Sequence, residues 1–196
     1  MDMKRKFVFA LFIVLALASL PAFAASPDAN VKGLWLKCPG FPAEAAVLEF
    51  REDIAPWDDN LSDVSYTRFV DGLLTFEIRR QTIEESQLRE PDDVQSLIEI
   101  RVYNDEVDEE TIIANMKSIN VNTNVSELAE LYTYPCVVAG YMTGQNEDTK
   151  QNVSLFIFTD VYCFAVEVSV AADWAEDYEG KIMGWFKGLE FVEDGK

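Results

Sequence analysis

Three cysteines, a large surplus of acids and no histidine define the chemistry open to this chain of 196 residues. Without an imidazole, neither a Ser-His-Asp nor a Cys-His nucleophilic system can be assembled, and no metal centre can use histidine ligands. What remains is a carboxylate pair of the kind glycosidases use, or a lysine or cysteine nucleophile. No Gly-x-Ser-x-Gly, Walker A or Gly-x-Gly-x-x-Gly motif stands where a strand runs into a helix. With 35 Asp and Glu in the chain, carboxylate pairs arise everywhere by chance, so no pair is singled out. The residues point to a non-enzymatic protein, with a carboxylate-dependent hydrolase as the alternative.

Calcium is the one ion this composition invites, because exported acidic proteins often bind it through oxygen ligands. Asp58, Asn60 and Asp63 are the candidate ligands, in the run Trp57-Asp58-Asp59-Asn60-Leu61-Ser62-Asp63. The run fails as an EF-hand. Counting from Asp58, Asp63 stands where the loop needs glycine, and Phe69 where it needs a bidentate glutamate. A solvated loop is the expectation, a weak calcium site the alternative, and no other cofactor is implied. Trp57, in the same acidic loop, is the aromatic expected at the surface and the candidate partner contact. Trp174 and Trp185 belong to the apolar stripe of the last predicted helix and are assigned to the core.

Cys38, Cys136 and Cys163 allow one bridge and one free thiol. If Asp160-Val161 closes a hairpin, Cys163 falls opposite Phe158. If the preceding turn pairs Thr143 with Gln151, Phe158 also falls opposite Cys136. The two cysteines then flank one strand, about 9–10 Å apart, beyond the roughly 7 Å Cα separation a disulfide spans. A bridge, if one forms, therefore joins Cys38 to Cys136 or to Cys163. No Cys-x-x-Cys motif suggests a redox role.

Residues 1–24 read as an export signal: basic Lys4-Arg5-Lys6, an apolar stretch from Phe7 to Leu20, then Pro21-Ala22-Phe23-Ala24 with the small-x-small pattern of a cleavage site. The apolar stretch is shorter than the roughly 20 residues that cross a bilayer. Cleavage after Ala24 leaves a bacterial periplasmic or secreted chain with no membrane span. It carries 13 of the 16 basic and 34 of the 35 acidic residues, a formal net charge of −21 against −19 for the whole chain. Such a field repels phosphate backbones and anionic lipid, which excludes nucleic acid as a partner and leaves a protein or small ligand.

The elements that must position these residues read as one domain over 25–196. Leu74, Phe76 and Ile78 alternate with Thr75, Glu77 and Arg79, after an Asp71-Gly72 hairpin signal. Ser96 to Tyr103 alternates in the same way and predicts a strand. Asp108 caps a predicted helix running to about Ile119, with Ile112, Ile113, Met116 and Ile119 on its apolar face. Three strands follow: 135–143, 152–159 and 162–171. The closing helix has its stripe at Trp174, Tyr178, Ile182, Trp185 and Leu189. Gly180, Gly184 and Gly188 recur along one side, read as close approach to the sheet.

The fold class is α+β: a single antiparallel sheet of about six to seven strands with two main helices on one face. The Pro39-Gly40-Phe41 turn, the passage from Ile98 to Ile119 and the ending Phe164-Ala-Val-Glu-Val-Ser-Val before the Trp174–Leu189 helix resemble the PsbP-like fold. That fold occurs in photosystem accessory proteins and in small secreted bacterial proteins. The resemblance implies scaffold or partner-binding duties and carries over no functional residue. A calcium-dependent binding module is a third reading of the function.

Overall fold

The computed structural model describes residues 34–38, 47–51, 64–71, 74–83, 88–103 and 106–193. Its strands are β1 (Leu34–Lys37), β2 (Val47–Arg51), β3 (Val64–Asp71), β4 (Leu74–Thr82), β5 (Asn120–Asn122), β6 (Cys136–Thr143), β7 (Lys150–Phe158), β8 (Tyr162–Ala171) and β9 (Glu190–Glu193). Its α-helices are α1 (Asp93–Val102), α2 (Glu109–Ser118), α3 (Ser126–Tyr132) and α4 (Ala175–Lys187). The α+β class and the antiparallel pairing stand. Seven strands pair in the order β2-β3-β4-β8-β7-β6-β5, and β1 and β9 form a separate two-stranded ribbon, so the sheet is not single.

The expectation of two helices on one face is also corrected. On the first face, Phe76, Ile78, Val138, Leu155, Ile157, Phe164, Val166 and Val168 pack with α3, α4 and the ribbon in one core. On the second, Val137, Ala139, Phe156, Phe158, Cys163 and Ala165 meet Val94, Leu97, Ile98 and Val102 of α1. Where α1 covers them, strands β6 to β8 are therefore apolar on both sides, as strands between two helical layers are.

The reason lies in α1, which replaces the strand predicted over Ser96–Tyr103. Ile98, Ile100 and Val102 satisfy a two-residue period. Val94, Leu97, Ile98 and Val102 satisfy a helical one, and these four are the residues that are buried, whereas Ile100 is 68% exposed. Two periods overlap over so short a run. The start of the segment decides between them. Pro91 lies just ahead of the first turn, and Asp93 Oδ2 accepts from the Arg89 and Glu90 amides at 2.8 and 3.0 Å.

α2 begins where the sequence predicts: Asp108 accepts from the Thr111 amide at 3.0 Å, which holds its carboxyl below the usual range. Its facing departs from the prediction in part: Ile112 is half-buried and Ile119 packs against the second-face core, as expected of the apolar face. Asn115 is the buried residue, while Ile113 and Met116 are exposed.

α4 closes the first face with Ile182, Trp185 and Phe186 buried. Phe76 meets Trp185 edge-on, with ring centroids 6.1 Å apart. The Tyr132 hydroxyl of α3 donates to the Phe186 carbonyl, tying two helices together. Trp174, assigned to the core from sequence, is 46% exposed, because it belongs to a 3-10 turn that precedes α4. Gly180 and Gly184 are exposed too, and a Cβ at either would meet nothing within 4 Å. The glycine side of α4 faces away from the sheet, contrary to expectation.

Candidate functional site

The second face is apolar only where α1 covers it. Toward the other end of the central strands it carries Glu77 and Arg79 of β4, Glu167 of β8, Ser154 of β7 and Tyr141 of β6. Strand alternation brings these five to one side, and register brings them together: Glu77 and Ser154 both pair with Glu167. Two carboxylates directly opposite one another repel. Arg79 resolves this, pairing with Glu77 and standing 3.8 Å from Glu167 Oε1.

Arg101, at the last turn of α1, supplies the other cation. Its Nη1 pairs with Glu167 Oε2 and lies 3.1 Å from the Tyr141 hydroxyl. Tyr141 and Ser154 also donate to Glu167 Oε2, at 2.8 and 3.0 Å. One carboxylate oxygen thus gathers a guanidinium and two hydroxyls, and the other faces a second guanidinium.

Burial alone would push the Glu167 carboxyl up. The neighbouring Arg101 and Arg79, with the Tyr141 and Ser154 hydrogen bonds, outweigh it and hold the group down at about 2. Burial, with the Glu167 charge beside it, pushes the Tyr141 hydroxyl up to about 12. The surroundings thus favour the carboxylate form of Glu167 and the phenol form of Tyr141. The cluster can do one thing well, which is to hold the end of α1 against the sheet.

A polar extension continues along β7. Asn152 Nδ2 donates to Thr143 Oγ1 at 3.0 Å, and the Ser169 hydroxyl donates to Asn152 Oδ1.

None of these residues is singled out by sequence reasoning. Glu77, Arg79 and Glu167 occupy strand positions that alternate with apolar residues. The available signal was Glu167 itself, a lone acid inside the apolar run Phe164 to Val170. A charge in a strand paired on both edges needs a buried partner.

The sequence-predicted site residues fare differently. Trp57 and the calcium candidates Asp58, Asn60 and Asp63 lie outside the described residues. Among the described residues no group of three or more acidic or cysteine side chains could hold a metal ion. All three cysteines are thiols. Cys163 does fall opposite Phe158, but the preceding turn is one residue tighter, pairing Thr143 with Lys150 and Cys136 with Ile157. A slip of one residue moves a side chain to the other face. Cys136 accordingly packs in the first-face core, where half-buried Cys38 also packs, and Cys163 lies in the second. Cys163 thus lies across the sheet from Cys38, and Cys136 is the cysteine on the side of Cys38.

Burial pushes the Cys136 thiol up to about 12 and raises that of Cys163 as well. Iodoacetamide added to the native protein is expected to modify Cys38 first and Cys163 only as fast as the fold opens. Peptide mass spectrometry reads the order. Labelling of Cys163 at the Cys38 rate would contradict the buried second-face position.

No helix among the described residues is long and apolar enough to cross a membrane. A scan of protein-family models and a search of curated protein sequences both return no match. Among solved structures, the chain is similar to LpqN of Mycobacterium tuberculosis, a protein described as involved in cell envelope biogenesis. That superposition covers 82% of this chain and 92% of LpqN, at 7% sequence identity and a TM-score of 0.32. A likeness that loose leaves the PsbP-like resemblance unconfirmed and assigns the chain to no family.

Proposed function

We propose that the chain is an exported, non-enzymatic binding or accessory protein of a bacterial periplasm or exterior. The observation that carries this reading is the state of Glu167. A carboxylate serving as general acid must be held up toward the working pH, and a nucleophile must be presented to solvent. Glu167 is held down, almost buried, and has both oxygens engaged. The buried thiols are pushed away from the thiolate form by burial. The best-organised ionic group among the described residues is thus built as a strut. The Lys4-Arg5-Lys6 leader pattern supports export, and the excess of acids supports a cationic partner.

Expression of the full chain in a bacterium, followed by fractionation, tests the first half: the protein is expected outside the cytoplasm with its N-terminus within a residue of Ala25. Assay of that material on chromogenic glycosides, esters and peptides tests the second, with no turnover expected. Turnover that Glu167→Gln abolishes would assign a carboxylate-dependent hydrolase instead. A melting temperature raised by millimolar calcium and restored by chelator would assign a calcium-dependent module.

A further inference from the structure

α2 holds to the body of the protein by its polar side. Asn115 Nδ2 donates to the Gly144 carbonyl at 3.0 Å, and Ser118 Oγ accepts from the Met142 amide at 2.8 Å while donating to the Asn115 carbonyl at 2.6 Å. Ile112 is half-buried and Ile119, at the end of the helix, packs on the second-face core, but two apolar residues turn outward: Ile113 is 45% exposed, and Met116, one turn on, is exposed beside it. α1, which packs against α2, exposes Ile100, and Tyr103, the residue that closes it, is exposed three positions on. A surface helix ordinarily turns its apolar stripe to the core. Scattered exposed apolar side chains need no explanation. Here, however, four of the five large apolar side chains exposed among the described residues fall on one helix pair.

The rim of this face is acidic. Glu106, Asp108, Glu109 and Glu110 are exposed at the start of α2, against one exposed base of the same helix, Lys117 in its last turn, and the Arg101 guanidinium of α1 is turned inward to Glu167. We propose that the outer face of α1 and α2 docks a basic protein segment, which lays an apolar helix face on Ile100, Tyr103, Ile113 and Met116. A second copy of the chain would bring the same acids against this rim, and anionic lipid is repelled by it. The proposal rests on the reading of the chain as a binding protein and names the surface and the partner chemistry.

The test uses the exported chain and a Leu/Lys peptide of roughly 18 residues patterned as an amphipathic helix, with a scrambled peptide of the same composition as comparator. Titrations at near-physiological salt are expected to show the patterned peptide bound about tenfold tighter. Ile113→Ser combined with Met116→Ser should erase that preference while circular dichroism shows the fold intact, since both side chains lie at the surface. Glu127→Gln combined with Glu130→Gln, exposed acids of α3, should leave it unchanged. Equal affinity for the two peptides, or a preference that survives Ile113→Ser with Met116→Ser, would overturn the proposal. So would dimerisation, or capture by phosphatidylcholine vesicles, that the same pair of substitutions abolishes. A failed peptide titration leaves the non-enzymatic reading standing; only substrate turnover or cytoplasmic retention removes that.

Discussion

Glu167→Ala is expected to destabilise the protein by about 3–5 kcal/mol, because it removes the carboxylate that the almost buried Arg101 guanidinium pairs with and leaves Arg79 to Glu77. Arg101 and Arg79 both face that carboxylate, and Tyr141 and Ser154 donate to it. Urea unfolding at neutral pH measures the loss; a change within 1 kcal/mol would mean that water solvates the cluster and that it pins nothing. The same pair sets a pH dependence. The folded-state value of about 2 lies below the ordinary glutamate value near 4.5, so the contribution is fully present above about pH 5 and disappears as the pH falls toward 2. A separation of that size corresponds to about 3 kcal/mol. The stability gap between the wild-type chain and Glu167→Gln is therefore expected to be widest at neutral pH and to close in acid. A gap that stays constant from pH 7 to pH 3 would show that the carboxylate charge is not what Arg101 and Arg79 require.

The second large effect belongs to the opposite face of the sheet. Phe186→Ala removes a fully buried ring from the first-face core, and cavities of that kind cost about 3–5 kcal/mol. Two links depend on this stretch of α4: the Tyr132 hydroxyl bonds the Phe186 carbonyl, and neighbouring Trp185 meets Phe76 edge-on. Lys187→Ala, one residue away, breaks only an exposed ion pair to Glu127 and should shift stability by less than about 0.5 kcal/mol. Thermal unfolding of the two variants side by side separates packing from surface charge. Similar losses in both would show that α4 is not seated through Phe186.

How much of this was legible beforehand differs from element to element. β6, β7 and β8 follow from apolar runs joined by short polar turns, and the start of α2 from Asp108 three residues before Thr111, because both signals act within a few residues of the backbone they shape. α1 was misread because Ile98, Ile100 and Val102 fit a strand as well as Ile98 and Val102 fit a helix, and the tie is broken by Val94 and by the loop before it. The candidate site was invisible for a related reason. Glu77, Arg79 and Glu167 occupy strand positions that are wet in a sheet with one open side and buried in one with two covers.

By itself, the order of residues determined the antiparallel α+β class and the absence of any histidine-based chemistry, since strand alternation and residue type need no partner. The tertiary structure alone decided that a helix roofs the second face, that β4 lies beside β8, that Cys163 and Cys38 lie on opposite sides of the sheet, and that α2 turns Ile113 and Met116 outward. Those outcomes hang on pairings between segments far apart in the chain, where one step of register or one added layer exchanges inside for outside.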